Sequence, residues 1–224
     1  MRPHREPATR PPWWAVVSSV GAPVALIGGW VVAELLQPPG YDPVRQTISA
    51  LARHGAAHRW VMTAGLCAIG VCHLVTAAGL RGIRRWSRVL LALGGVVGLG
   101  VGICAQPPHG SSNAHLAFAV LGIVILAIWP LTVASAAAVR FPLRRRDAVL
   151  SAALSAVLLA WLVQATSGST LGIAERAVTA QQELWPLLVV LGLRRAPAVA
   201  PAPEPVAQGA AGGGAPRRAD RMAE

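Results

Sequence analysis

Six apolar stretches, at roughly 14–36, 60–80, 88–106, 115–139, 148–167 and 173–193, decide what this chain can fold into. Most reach the ~20 residues that carry a helix across a ~30 Å hydrocarbon core. Inside a bilayer every backbone N–H and C=O must be bonded within the protein, so such stretches cross as helices. The expected fold is all-α: a polytopic membrane bundle of six transmembrane helices over residues 14–193. A basic tail at 1–13 and a Pro/Ala/Gly-rich tail at 194–224 flank it, and neither composition can bury a core, so both are expected to be disordered. Only 13% of the 224 residues are charged. A soluble domain carries about 25%.

The arginines give the orientation. The chain has 20 basic side chains and no lysine, and sixteen of the arginines fall in the two tails and in the connections around 81–88 and 140–146. Only Arg45, Arg53, Arg59 and Arg176 occupy the opposite side. Basic residues stay cytoplasmic, so both termini are expected in the cytoplasm and the chain in the cell membrane. The formal charge of +11 follows from these loops. No basic groove with interleaved aromatics accompanies it, which argues against a nucleic-acid partner. The first apolar run is too long for a secretory signal and is expected to stay uncleaved. Cys67, Cys72 and Cys104 fall within spans and are expected to act as small apolar packers. Trp13 and Trp14 sit where an interfacial aromatic belt is expected.

Small residues mark where helices approach. Gly21, Ala25 and Gly29 share one face of the first span, and Gly94, Gly98 and Gly102 one face of the third. Such ridges serve packing within one bundle or, alternatively, a homodimer seam. The longest external connection, 37–59, is expected to hold a short amphipathic helix over 42–53. Asp42 would cap it, Pro43 would open it, and Val44, Ile48 and Leu51 would form its apolar face. The sixth stretch carries Glu175, Thr179, Gln182 and Glu183 about one turn apart, a polar stripe that must face protein or a water-filled cavity.

Three blocks of residues are arranged around these spans. The first is Tyr41-Asp42-Pro43-Val44-Arg45-Gln46-Thr47-Ile48-Ser49-Ala50-Leu51. The second is Gln106-Pro107-Pro108-His109-Gly110 with His115. The third is Gly172-Ile173-Ala174-Glu175-Arg176 with Trp185 beyond it. In these residues, and in their order between spans, the chain resembles the bacterial and archaeal integral membrane family catalogued as domain of unknown function 998. The resemblance implies a six-helix bundle and supplies no reaction. It also leads one to expect a phenylalanine-proline with a nearby acid in the second block, where this chain has Gln106-Pro107-Pro108 and no acid.

All three blocks belong to the external end by topology, and convergence of polar groups is what a binding site needs. The candidate substrate-binding residues are Asp42, Arg45, Ser49, His109, Glu175 and Arg176, with Glu34, His54, His58 and Gln106 nearby. His115 is the candidate catalytic acid/base, because imidazole titrates near neutral pH. A structural use competes at each position: Asp42 as a helix cap, and Glu175 and Arg176 as partners of Arg45 and Asp42 that pin the connection to the sixth span. His73 is expected to be a packed, hydrogen-bonded core histidine. His54 and His58 lie four apart, but Gly55 interrupts them and no ligand-rich pattern surrounds them, so neither a metal nor another cofactor is expected. No phosphate loop, dinucleotide fingerprint or nucleophile elbow is present. The sequence points to a protein that binds or moves a lipid headgroup or small amphiphile at an extracytoplasmic site. An intramembrane lipid enzyme using His115 and a structural membrane subunit are the alternatives, with membrane lipid the expected surroundings of all three.

Overall fold

The computed structural model describes residues 10–135 and 141–195. The tails expected over 1–13 and 194–224 lie mostly outside that range, as does Arg140. Seven helices follow in order: α1 (Trp13–Leu35), α2 (Ile48–Ala52), α3 (Trp60–Gly79), α4 (Arg85–Ile103), α5 (Asn113–Val133), α6 (Arg145–Ala165) and α7 (Leu171–Arg195). No strand forms among the described residues. Helices α1, α3, α4, α5 and α6 are long and apolar enough to cross a membrane. Their outward faces are apolar: Val17 and Val24 on α1, Leu93 and Val96 on α4, Val120 and Val124 on α5, and Leu154 and Val157 on α6 are all exposed. Trp13, Trp60 and Trp86 stand exposed in the first turns of α1, α3 and α4, at helix ends where a lipid–water boundary favours amphipathic rings.

Helix α7 is the longest, at 25 residues, and the least uniformly apolar. Its polar residues are turned toward protein. Gln181 accepts from Ser155 Oγ (2.7 Å) and donates to Ser151 Oγ (3.0 Å), tying α7 to α6. Gln182 and Glu183 are buried, and Gln182 Nε2 donates to the Ile123 carbonyl of α5 (3.1 Å).

The glycine ridges are consumed inside the bundle. A Cβ on Gly65 would lie 2.9 Å from the Ala25 carbonyl, and one on Gly29 would meet Met62 and Gly65, so α1 and α3 cross backbone against backbone. Gly70 and Gly95 do the same for α3 and α4, each facing the other's carbonyl oxygen. In the third-span ridge, Gly98 faces Gly70, Gly102 faces Cys67 Sγ, and Gly94 faces Ile125 of α5. That face is therefore occupied within the chain. Cys67, Cys72 and Cys104 are free thiols.

The connection after α1 differs from the helix expected over 42–53. Asp42 Oδ1 accepts from Val44 N (2.9 Å), and its carbonyl accepts from Arg45 N and Gln46 N, which makes a turn rather than a helix start. Thr47 is the N-cap, its Oγ1 accepting from Ala50 N (3.1 Å), and only Ile48–Ala52 is helical. The cause is long-range. The carbonyls of Pro43, Val44 and Gln46 accept from Arg176 and Ile173 of α7, so they are not available to a helix ladder. Ile48, Leu51 and Ala52 are buried on the end of the bundle, while Val44 remains exposed.

Two apolar clusters hold the bundle. One, near α2, joins Leu26, Ala33, Ile48, Leu51, Met62 and Ile69. The other, at the opposite end, joins Leu80, Leu91, Trp129, Trp185, Val189 and Val190. Between them lies a partly open cavity of about 110 Å³, lined by α1, α2, α3, α4, α5 and α7.

Candidate functional site

The three sequence blocks meet at the α2 end. Arg176 in the first turns of α7 is the hub of one cluster. Its Nε (3.0 Å) and Nη2 both donate to Glu34 Oε1 at the end of α1. Nη1 donates to the carbonyls of Pro43 (3.0 Å), Gln46 (2.9 Å) and Gly172 (2.9 Å), and Nη2 to the Tyr41 hydroxyl (2.7 Å). The guanidinium also lies 5.9 Å from the Trp30 ring centroid, over its face. A planar fork of five N–H donors suits this role, since it can satisfy a carboxylate and several carbonyls at once. Burial pushes the Tyr41 phenol up from its ordinary value, with the Arg176 charge and hydrogen bond pulling the other way. Gly172 is what lets the loop come so close: a Cβ there would run into the backbone oxygens of Gln46 and Pro43.

Beside this clamp, Ser49, His115 and Glu175 form a second cluster. Ser49 is carried by α2, His115 by the first turn of α5 and Glu175 by the start of α7. His115 is buried, and its Nδ1 lies 2.8 Å from the Cys104 carbonyl. A carbonyl can only accept, so Nδ1 carries the proton in this arrangement. His115 Nε2 lies 3.0 Å from Ser49 Oγ, and Ser49 Oγ lies 3.3 Å from Glu175 Oε1. The other Glu175 oxygen accepts from Ile48 N. Two hydrogen-bond patterns follow from this geometry. A neutral His115 accepts the Ser49 proton at Nε2. A protonated His115 donates to Ser49, which then donates to the Glu175 carboxylate. Ser49 is thus a one-atom link between a base and an acid.

The remaining candidates separate. Asp42 and Arg45 pair with each other (3.4 Å), both substantially exposed, and neither pairs with Glu175 or Arg176 as the sequence had suggested. Arg176 takes Glu34 as its partner instead, because Asp42 is turned back on its own turn. His109 is exposed in the α4–α5 connection, where no hydrogen bond joins it to the cluster. Gln106 braces that connection: its Oε1 accepts from Ser112 N (2.8 Å) and its carbonyl from His54 N (2.9 Å). An acceptor is all Ser112 N requires, which a glutamine supplies as well as an acid. Ser112 in turn caps α5, accepting from His115 N (3.3 Å) and fixing the turn that carries His115. No group of three or more metal-binding side chains occurs among the described residues.

The cavity begins at Ser49 and Glu175 and runs inward past Thr179 to Gln182, Glu183 and His73. The rest of its wall is apolar, from Leu26 on α1 to Val97 and Val101 on α4 and Ile123 and Leu126 on α5. The polar stripe of the sixth apolar stretch is therefore the wall of a cavity. At its inner end His73 Nε2 approaches Glu183 Oε2 to 3.0 Å, both side chains buried. Sequence reasoning placed Glu183 in the stripe but gave His73 no partner. The missing information was the rotation of α3, which apolar periodicity does not fix in a helix that is hydrophobic on nearly every side.

No curated protein and no solved structure matches the sequence. Residues 19–192 match the family model described as protein of unknown function, DUF998, and that range covers most of α1 and α7 and everything between, with both polar clusters and the His73–Glu183 pair. The chain belongs to the DUF998 family of proteins of unknown function.

Proposed function

We propose that this chain is a six-span protein of the cell membrane that binds a small amphiphile in its central cavity. In this reading α7 is the sixth span. Its length of 25 residues is ample, and the residues that lower its hydropathy face α6 or the cavity rather than lipid. The arginine distribution supports a topology with both termini in the cytoplasm and the Ser49–His115–Glu175 cluster at the outer face.

The cavity carries the proposal: an apolar wall with a polar cluster at its partly exposed end is how a protein holds a molecule with one apolar and one polar part. About 110 Å³ is comparable to cavities that take a benzene-sized group, so the apolar part is short or only its tip enters. Ser49 and Glu175 are placed to meet the polar part. Arg176 is not, because Glu34, Tyr41 and three carbonyls already use its donors. This departs from the sequence-based choice of Arg45 and Arg176 as anion ligands.

The His115–Ser49 hydrogen bond favours a second reading, catalysis on the bound amphiphile. The Cys104 carbonyl orients the imidazole and His115 would act as general base toward Ser49. Mass spectrometry of protein extracted gently from its membrane tests both. Retention of a defined amphiphile supports the binding reading, and its turnover by wild type but not by His115→Gln would select the enzyme. Protein that carries only bulk lipid in bulk proportions contradicts both.

A further inference from the structure

The inner end of the cavity gathers three buried polar side chains. His73, Gln182 and Glu183 are each more than nine-tenths buried. His73 Nε2 and Glu183 Oε2 lie 3.0 Å apart without the alignment of a hydrogen bond, and Gln182 Oε1 has no protein donor either. All three side chains line the cavity. The acid group nearest along α7 is Glu175, eight residues away, or about 12 Å along a helix. Helices α1, α4 and α5 contribute only apolar residues to the cavity wall.

This pair holds either one shared proton or two. Holding one proton between them, as neutral imidazole and carboxylate, the pair bears a net −1 at membrane depth. Holding two, it is neutral overall. Among the described residues no Arg lines the cavity to offset the negative state, so water must. The cavity can hold several waters, and Gln182 Oε1, Glu183 Oε2 and Thr179 Oγ1 offer them the polar partners a buried water needs. Toward the other end of the bundle the way is closed by Leu80, Leu91, Trp129, Trp185, Val189 and Val190.

We propose that His73 and Glu183 form a proton-binding site, reached by water through the cavity from the Ser49–Glu175 end alone. One proton enters from solvent at that end, converts the pair from net −1 to neutral, and leaves by the same route. The site needs no amphiphile. An occupant that displaces the cavity water would cut the pair off from its proton source and slow its proton exchange.

The test is infrared difference spectroscopy of the full chain in lipid nanodiscs, stepped in pH and in D₂O. Wild type should show a pH-responsive carboxylic-acid C=O band of which the Glu183 component is lost in Glu183→Gln and altered in His73→Gln, while components from Glu175 and Asp147 remain. Thr179→Leu, which puts bulk between the two ends, should retain the band but slow its deuterium exchange about tenfold or more, as gated access does. If Thr179→Leu does not fold, Ala119→Leu plugs the same cavity from α5. In liposomes of defined orientation, a pH step on the Ser49 side should move the band before the lumen equilibrates. A carboxyl pH response unchanged in Glu183→Gln overturns the proposal. So does exchange at the wild-type rate in a folded plugged variant, or an immediate response to a pH step on the other side.

Discussion

Replacing Arg176 with methionine should destabilise the protein rather than disable a binding site. Its side chain is 12% exposed and the Glu34 side chain 23%. Removing one partner of a buried ion pair costs about 3–5 kcal/mol, because the other charge is left desolvated. Glu34 retains some solvent, which favours the lower end, about 3 kcal/mol. For a chain of this size each kcal/mol lowers Tm by about 2–4 °C, so Arg176→Met should unfold about 6–12 °C below wild type. Tryptophan fluorescence during thermal unfolding in nanodiscs reads this, since Trp30 and Trp185 report on α1 and α7. The double variant Glu34→Gln/Arg176→Met should be more stable than Arg176→Met alone, with a coupling of about 1 kcal/mol or more, as it no longer strands a charge. An Arg176→Met protein that melts within about 2 °C of wild type but loses a bound amphiphile would refute the reasoning and restore Arg176 as a headgroup ligand.

Other consequences follow from the same end of the molecule. Gly172→Ala forces a methyl onto the backbone oxygens of Pro43 and Gln46, which flexible side chains cannot relieve; a loss of about 1–3 kcal/mol is expected by thermal unfolding, and an unchanged Tm would contradict the close approach. The raised Tyr41 value means its neutral form is favoured by the fold, so this contribution is complete below the ordinary value of 10.0 and is lost as pH climbs beyond it. A stability–pH profile should therefore decline less steeply at alkaline pH in Tyr41→Phe than in wild type. In a background lacking Cys67, Cys72 and Cys104, a cysteine at Ser112 should react with an impermeant reagent on intact cells while one at Phe141 should not. Labelling of both positions would break the assigned orientation.

Much of this fold was legible because lipid imposes a simple rule on sequence. Four of the five apolar spans lie within about three residues of their expected places, the stretch expected over 115–139 ends at Val133 instead, and the stripe of Glu175, Thr179, Gln182 and Glu183 does line a cavity. Ser49, His115, Glu175 and Arg176 were legible as neighbours because topology alone puts the ends of their elements together. The partners within that neighbourhood were not. Asp42-Pro43 is a strong local helix-start signal, yet α7 captures the carbonyls a helix would need, so tertiary hydrogen bonds override the local preference. Arg176 pairs with Glu34 rather than Asp42 because the path of the chain from Leu36 to Gln46 decides which acid reaches it, and no periodicity encodes that path. Gly172 was visible only as part of a block, and its role emerges once the loop is seen lying on it.

A single comparison reaches the cavity itself: wild type against Ala119→Leu, each released from its own membrane into a native mass spectrometer. Ala119 lines the cavity and its leucine variant fills part of the space, at a packing cost of about 1–3 kcal/mol that a parallel melt can verify is survivable. Wild type should retain a small amphiphile that the folded Ala119→Leu protein has lost. Equal retention of the same molecule by both proteins, or no amphiphile on either, would contradict the assignment of this cavity as the binding site.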